Sequence, residues 1–336
     1  MSQETPIYPS FYQRARATQY AGVAALLMVC SASLANIAAA MPIAVANPVV
    51  LTDPADGRQI PLRIAYPTAG RRLPVVLFSH GAYSSKDDYN ALLDAWAAGG
   101  YIVLAVTHRD SLKLGGRRGT GDPRHFGWRL DDMTVLLTRL PEALAQVPGL
   151  SARADITRIA ATGHSFGGLV AQTLGGATYF DAASQVTVGR RDPRVRAVIV
   201  FSGAGAFPPT LRPEDFLALR IPTLVTVGSN DLKQAPDLSG YEWRKQPFDL
   251  APAGHKFLLT LNGADHYLGG SVGRDDLPQD PNGPAFVAAF NAISLQFLNA
   301  WLRDDQRARR RLEQNAARSA GKQPLQGMPL ALLQAK

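Results

Sequence analysis

One serine in the sequence has neighbours that suit nucleophilic chemistry. Residues 163–168 read Gly-His-Ser-Phe-Gly-Gly, so Ser165 has a glycine two positions away on each side. An apolar run at 156–162 precedes this segment, and a run of mostly small residues at 169–177 follows it. The pattern predicts a buried strand, a tight turn at Ser165 and a helix, an arrangement that presents the hydroxyl to a substrate.

A serine hydroxyl is a weak nucleophile near neutral pH, so Ser165 needs a base and an acid. Two histidines, His255 and His266, follow it, and the order serine, acid, histidine is typical of this strand-turn-helix arrangement. His255 precedes a predicted strand at 256–261, whereas His266 follows that strand, at the end of the sheet where Ser165 lies. We predict His266 as the general base; the alternative is a histidine of a surface loop.

Asp231 follows an apolar run at 223–227, where a predicted strand ends. We predict this aspartate as the acid that orients the base; the alternative is a residue that caps a turn. Asp265 adjoins the predicted base, but neighbouring side chains of an extended loop point apart, so we interpret it as structural. Glu214 and Asp215 follow the preceding strand and are reserve candidates.

The developing oxyanion of an acyl-transfer reaction needs two backbone donors. Residues 78–82 read Phe-Ser-His-Gly-Ala at the end of a strand predicted at 74–79, and the glycine lets the backbone approach a substrate. We predict the N–H groups of Ala82 and Phe166 as the oxyanion donors.

The remaining histidines do not suggest a metal centre. We expect His80 and His164 to pack and form hydrogen bonds around strand ends, although both also suggest bases or ligands. His108 and His125 have no partners at the spacing of metal ligands. We therefore predict neither a metal site nor a cofactor.

Strand-like and helix-like runs alternate from residue 73 onward, which predicts an α/β fold with a mostly parallel central sheet and helices on both faces. The pair Asp56 and Gly57 between apolar runs at 49–52 and 60–66 predicts an antiparallel hairpin at one edge. Further strands are predicted at 101–107 and 197–201, and helices at 89–98, 128–140 and 285–301. Two irregular stretches leave strand ends: 109–126 is predicted as a mobile loop over the site, and 233–255, with Tyr241 and Trp243, as a wall of the substrate pocket.

The N-terminal residues 1–46 resemble a targeting segment. Arg14 and Arg16 precede an apolar stretch at 21–29, and small-residue sites follow at 38–40 and 44–46. We predict a signal peptide cut after Ala46 and a periplasmic or secreted protein; the alternative is an uncleaved membrane anchor. The predicted catalytic domain spans 47–303, and 304–336 is predicted as a basic tail, loosely ordered from 323 onward.

The formal net charge of +8 favours weak contact with anionic surfaces such as lipid headgroups. Basic residues concentrate at 113–124 and 307–311 without interleaved aromatic residues that would stack on bases, so we predict no nucleic-acid partner. Nothing in the sequence indicates an oligomeric state.

These features together resemble the α/β-hydrolase superfamily, and within it bacterial dienelactone-hydrolase-like and platelet-activating-factor-acetylhydrolase-like serine esterases. Chlorophyllases and polyester hydrolases are also similar. The resemblance covers about residues 49–302 and rests on the motifs at 79–81 and 163–168 together with Asp231 and His266. It implies an α/β-hydrolase fold and a serine carboxylic-ester hydrolase that forms an acyl-enzyme on Ser165, with a small-molecule or lipid-like ester as substrate.

Three other functions are compatible with this resemblance. A serine peptidase or amidase would carry a dedicated site for a peptide terminus, which the sequence does not indicate. An acyltransferase would need an acceptor pocket that outcompetes water. A non-catalytic binding protein has no chemical need for an intact Ser165, Asp231 and His266.

Overall fold

The fold is seen in a computed structural model that describes residues 40–118, 124–182, 184–232, 238–274 and 276–336. Nearly all of the predicted signal segment therefore lies outside the described residues. The strands of the described ranges are β1 (Ile43–Thr52), β2 (Gln59–Pro67), β3 (Leu73–Ser79), β4 (Ile102–Val106), β5 (Ala154–His164), β6 (Thr178–Asp181), β7 (Val186–Gly189), β8 (Val195–Phe201), β9 (Thr223–Gly228), β10 (Lys256–Leu261) and β11 (Ala331–Ala335).

Nine of these strands form one sheet in the order β1-β2-β4-β3-β5-β8-β9-β10-β11. The six strands from β4 to β10 are parallel, while β1 and β2 form an antiparallel hairpin at one edge and β11 pairs antiparallel at the other. Strands β6 and β7 form a separate antiparallel pair. The predicted α/β fold class, with its mostly parallel sheet and edge hairpin, is confirmed.

The helices are α1 (Asn90–Ala98), α2 (Arg124–Thr138), α3 (Leu140–Ala145), α4 (Phe166–Gly175), α5 (Gly240–Arg244), α6 (Gln246–Asp249), α7 (Gly283–Leu302) and α8 (Gln306–Ser319). Alternate residues of β3 enter opposite apolar layers, with Leu77 on the side of α2 and α4 and Phe78 on the side of α1, α7 and α8. Because helices cover both faces, β3, β4, β9 and β10 are buried along their whole length.

The helix α7 is long and apolar enough to cross a membrane by length and composition alone. In the structure it lies in the core of the domain, where Phe286, Phe290 and Phe297 are buried against the sheet. Its apolar composition is therefore accounted for by packing.

The C-terminal region differs from the prediction, which ended the domain at 303 and treated 304–336 as a tail. Asp305 caps α8 by accepting hydrogen bonds from the N–H groups of Arg307 and Ala308, and Leu312 and Ala316 pack into the core. The strand β11 pairs with β10 and covers its edge. Residues 41–336 thus form one compact unit. The arginines of α8 lie largely on its exposed face. Because they dominate the composition of the segment, the few apolar residues that face the core were not recognised as a helical pattern.

The N-terminal boundary also differs. The predicted cut after Ala46 falls inside β1, because β1 begins at Ile43 and its residues 43–46 pair with 64–67 of β2. A cut at that position would remove four paired residues from the edge hairpin. The small-residue site at 38–40 precedes the strand and would leave it whole.

Candidate active site

Ser165 occupies the turn between β5 and α4. Its backbone angles are φ 53° and ψ −116°, a strained conformation for a side chain other than glycine. A hydrogen bond of 2.9 Å from its N–H to the carbonyl of Phe201 holds the turn. The sharp turn of the chain leaves Ser165 half-buried at a cavity, as the strand-turn-helix prediction requires.

Two glycines make this turn possible because backbone passes where a Cβ would stand. A Cβ on Gly167 would lie 1.9 Å from the carbonyl oxygen of Ser79, and a Cβ on Gly163 would lie 2.2 Å from the carbonyl oxygen of Gly167. Both distances are far below van der Waals contact, so α4 packs on β3 and β5 only with glycine at these two positions.

His266 and Asp231 lie in the loops after β10 and β9 and meet in a buried hydrogen bond. The Nδ1 of His266 is 2.7 Å from the Oδ1 of Asp231. Because the carboxylate accepts a hydrogen bond from Nδ1–H, the other ring nitrogen, Nε2, carries no proton and is able to accept one. Ser165 and His266 line the same cavity, although the structure shows no hydrogen bond between these two side chains. Catalytic hydrogen bonds of this kind often form only with substrate bound.

Arg244 forms a buried ion pair with Asp231 that the sequence analysis did not predict. Its Nε lies 2.8 Å from Asp231 Oδ1, and its Nη1 donates hydrogen bonds to the carbonyls of Ser202 and Gly203. Burial alone would raise the pKa of Asp231, but the hydrogen bond from His266 and the charges of His266 and Arg244 hold this pKa below its usual value. The acid therefore stays ionised beside the histidine.

The pKa of His266 lies below the ordinary value of 6.5. Burial is the main cause, and it outweighs the opposing hydrogen bond and charge of Asp231; the charge of Arg244 lowers the pKa further. The imidazole is consequently neutral at pH 7, which is the form that accepts a proton.

His164 and His80 are buried and neutral, since burial lowers the pKa of each well below 6.5. The Nε2 of His164 is 2.9 Å from the carbonyl of His266, so Nε2 carries the proton and Nδ1 accepts from the hydroxyl of Tyr89. The Nε2 of His80 accepts from the N–H of His108, so its Nδ1 donates to the carbonyl of Gly81 at 2.6 Å. Both histidines hold loops in place at strand ends, as expected.

The predicted oxyanion donors come from two segments: Ala82 from the loop after β3, and Phe166 from the start of α4. Ala82 lines the cavity, and within the described ranges its N–H has no protein acceptor. Phe166 is the first residue of α4, where backbone N–H groups have no partner inside the helix. The N–H of Ala82 is therefore available to a ligand in the cavity, whereas Phe166 adjoins Ser165 in the chain but is not among the residues that line the cavity.

The cavity at Ser165 has a volume of about 680 Å³. The stretch 109–126 contributes Leu112, Lys113 and Arg118 to its walls, in line with the predicted loop over the site. Arg244 contributes from the predicted wall at 233–255, and the segment around Tyr267 and Arg274 that follows His266 is a wall that was not anticipated.

The predicted wall at 233–255 reaches the cavity through Arg244, whereas the expectation that Tyr241 and Trp243 take part was wrong. Ser239 caps the short helix α5, and its turn sends Trp243 into the core, where the indole N–H donates to the carbonyl of Ala206 at 2.7 Å. The hydroxyl of Tyr241 lies 3.1 Å from that of Thr260. Neither residue lines the cavity.

The other acidic candidates have partners elsewhere. The carboxylate of Asp265 accepts hydrogen bonds from the N–H groups of Tyr267 and Gly269, which agrees with its structural interpretation. Asp215 binds Thr178 and Arg212, and Glu214 lies beside Arg212. Neither reserve candidate lines the cavity.

A second group of serine, histidine and aspartate lies behind the site and was missed in the sequence. His108 joins the hydroxyl of Ser79 and the carboxylate of Asp132, each at 2.8 Å. All three side chains are buried and none lines the cavity, so no substrate reaches them. No local sequence signal indicates this group, because its members come from β3, the loop after β4, and α2.

Across the residues that the structure describes, no three or more histidine, cysteine, aspartate or glutamate side chains are grouped so that they could hold a metal ion.

Comparisons with known proteins agree with the fold. A family profile described as "Alpha/beta hydrolase family" matches residues 76–330, which is more than half of the chain. The fold is similar to that of a ferulic acid esterase from Streptomyces cinnamoneus, with a TM-score of 0.55 and 19% sequence identity over 81% of this chain and 93% of the other. At that identity the likeness concerns the fold. No curated protein matches the sequence.

Proposed function

Since the chain belongs to the Alpha/beta hydrolase family, we propose that it is a serine hydrolase that cleaves carboxylic esters. Ser165 is the nucleophile, His266 the general base and Asp231 the acid that orients it. The observation that carries the proposal is the 2.7 Å hydrogen bond between His266 and Asp231, on a histidine that shares its cavity with Ser165.

In the first half of the proposed reaction, the Oγ of Ser165 attacks the ester carbonyl carbon while the Nε2 of His266 takes the hydroxyl proton. The carbonyl oxygen becomes an oxyanion, which the N–H groups of Ala82 and Phe166 receive. When the tetrahedral intermediate collapses, the bond to the alcohol oxygen breaks and His266 protonates the departing alkoxide. An acyl group remains on Ser165.

In the second half, a water molecule gives a proton to His266 and attacks the acyl carbon. The same donors stabilise the second oxyanion. Its collapse breaks the bond to Ser165, and His266 returns the proton to the serine. The products are one alcohol and one carboxylic acid.

The size and charge of the cavity support a class of substrate. Its volume of about 680 Å³ is in the range of sites for small organic ligands. Among the described residues, the cavity is lined by the basic residues Lys113, Arg118, Arg244 and Arg274 and by the acidic residues Asp88 and Asp276, of which Asp276 forms an ion pair with Arg274. We include in the proposal a modest preference for esters that carry a negative charge, or that lie at an anionic surface.

We also propose that the protein is exported, with its signal segment cut near residues 38–40. A cut there leaves β1 intact. The N-terminal residue of the exported protein, measured by mass spectrometry, tests this part: a protein that retains residues 1–37 in the membrane would instead support the uncleaved anchor.

The experiment that tests the function is hydrolysis of p-nitrophenyl esters from acetate to palmitate by the parent and by Ser165→Ala. We expect turnover to fall by several orders of magnitude in the variant, because the three catalytic groups act as a unit. Ser151→Ala, at an exposed position in a short turn, is the control. Mass spectrometry of the parent in a rapid quench should show one acyl group on Ser165.

The alternatives give different results. Turnover of amides but not esters would indicate an amidase or peptidase, and transfer of the acyl group to an added alcohol in preference to water would indicate an acyltransferase. A folded parent that turns over none of these substrates, or a Ser165→Ala variant as active as the parent, would refute the proposal.

A further inference from the structure

A buried cation lies directly behind the loop that carries Ala82. The side chain of Arg129, on α2, is 1% exposed. Its Nη1 donates to the carbonyl of His80 and its Nη2 donates to the carbonyl of Gly81 at 3.1 Å. Asp110 balances the charge, with distances of 2.9 Å from Nε and 2.7 Å from Nη2.

Because the peptide group is planar, the contact of Arg129 with the carbonyl of Gly81 also orients the N–H of Ala82. The carbonyl of Gly81 and the N–H of Ala82 belong to one planar trans peptide group, so they point in opposite directions. Gly81 and Ala82 line the cavity, whereas Arg129 does not. A guanidinium that holds the carbonyl on one side therefore turns the N–H toward the other side, where the cavity lies.

The neighbouring groups hold the same loop. The Nδ1–H of His80 donates to the carbonyl of Gly81, and the N–H of Gly81 donates to the hydroxyl of Tyr89 at 3.0 Å. The N–H of Tyr83, one residue beyond Ala82, points to Asp110 at 3.4 Å. The peptide group that carries the Ala82 N–H and the peptide groups before and after it are thus fixed, all three by the Arg129–Asp110 pair.

The same guanidinium also touches the residue of the second donor. Its central carbon lies 4.6 Å from the centre of the Phe166 ring, in the geometry of a cation over an aromatic face. One buried cation therefore contacts the loop of the first proposed donor and the side chain of the second. A positive charge at the carbonyl oxygen also polarises the peptide group and makes its N–H a stronger donor.

We propose that Arg129 is a positioning residue of the oxyanion hole: through the carbonyl of Gly81 it aims the N–H of Ala82 at the substrate oxygen. This inference rests on the proposed function. It assigns no contact between Arg129 and substrate.

The test compares the parent with Arg129→Lys and with the double variant Arg129→Met, Asp110→Asn, which avoids leaving a buried carboxylate unpaired. Two inhibitors of equal chain length serve as probes. A trifluoromethyl ketone adds to Ser165 and places an oxyanion in the hole; the corresponding ether fills the cavity without a carbonyl. The control is Arg190→Met, which breaks an exposed ion pair with Asp131, a residue on the same helix as Arg129.

We expect the double variant to lose about 10²–10³-fold in kcat/KM, the range for loss of one oxyanion donor. The inhibition constant of the ketone should rise by a similar factor while that of the ether stays within about twofold. For Arg129→Lys we expect kcat/KM and the inhibition constant of the ketone to lie between those of the parent and the double variant. An ammonium group donates to a carbonyl, but it does not hold two carbonyls in the fixed geometry of a guanidinium.

A folded double variant that binds the ketone as tightly as the parent would overturn the inference, as would an equal loss of affinity for ketone and ether. If the double variant does not fold, the ratio of the two inhibition constants in Arg129→Lys decides: an unchanged ratio overturns the inference. These results are separable from the proposed function, which is tested by ester turnover in the parent and in Ser165→Ala.

Discussion

Tyr89 and His164 share a buried hydrogen bond of 2.9 Å that connects the loop of one proposed oxyanion donor to the loop of the proposed base. The tyrosine hydroxyl accepts from the N–H of Gly81 and donates to Nδ1 of His164, whose Nε2–H donates to the carbonyl of His266. Each group in this series of hydrogen bonds donates to the next, from the N–H of Gly81 to the carbonyl of His266. The distance between Ala82 and His266 is therefore set by side chains of the core.

Tyr89→Phe removes the central hydroxyl and leaves the N–H of Gly81 and the Nδ1 of His164 buried without a partner. We expect the free energy of unfolding to fall by about 1–3 kcal/mol, the cost of an unsatisfied buried group. We also expect kcat to fall, because both loops lose a constraint. Urea denaturation and ester kinetics measure the two effects, with Tyr66→Phe in the edge hairpin as the control. Parental stability in Tyr89→Phe would contradict the prediction.

Asp231→Asn should lower kcat by about 10³–10⁴-fold, because an amide does not hold His266 in the tautomer that leaves Nε2 as the base. It should also lower the free energy of unfolding, because the buried Arg244 loses its ionic partner. Asp265→Asn is a matched control from the adjacent residue. Its remaining oxygen still accepts from the N–H groups of Tyr267 and Gly269, so we expect activity within a few-fold of the parent. Equal losses in the two variants would argue that neither aspartate orients the base.

The rate should depend on pH through His266. The base acts when neutral, and its pKa is lowered from 6.5, chiefly by burial. The rise of kcat/KM with pH should therefore have its midpoint below 6.5. The positive charge of Arg244 is one of the causes that lower the pKa of His266, so Arg244→Gln should move the midpoint to higher pH.

Arg244→Lys keeps the positive charge and should leave the midpoint nearer to that of the parent. The pH profiles of kcat/KM for the parent and both variants check this. A shift of Arg244→Gln toward lower pH would mean that Arg244 does not act on His266 through its charge.

Gly167→Ala should abolish activity and sharply reduce stability. The new Cβ would meet the carbonyl oxygen of Ser79 at 1.9 Å, and neither backbone segment has room to move. Gly127→Ala, in α2, is the matched control, since nothing lies within 4 Å of its Cβ position. There we expect a gain of up to about 1 kcal/mol from helix propensity. Thermal unfolding of the two variants decides; a stable, active Gly167→Ala would refute the packing argument.

The sequence predicted features that depend on local pattern. The turn at Ser165 follows from two glycines between an apolar run and a helix. The proximity of Asp231 and His266 follows from chain order, because the carboxyl ends of neighbouring parallel strands meet at one edge of a sheet.

The sequence did not predict the buried arginines, because their partners are distant in the chain. Arg129 donates hydrogen bonds to the backbone carbonyls of residues 80 and 81, and no pattern of side chains predicts a contact with backbone. Arg244 forms its ion pair with Asp231 from a short helix. The same helix places Trp243 in the core. In the C-terminal region, β11 forms by pairing with β10, a partner about 70 residues away in the chain. Its own sequence therefore does not distinguish it from a loosely ordered tail.

The strand β11 also affects how firmly His266 is held. Without it, β10 would be an edge strand, and edge strands fray in local opening events. With β11 paired on one side and β9 on the other, β10 is an interior strand whose amide hydrogens should exchange with solvent as slowly as those of β3 and β5. The loop of the base is therefore attached to one of the most slowly opening parts of the molecule.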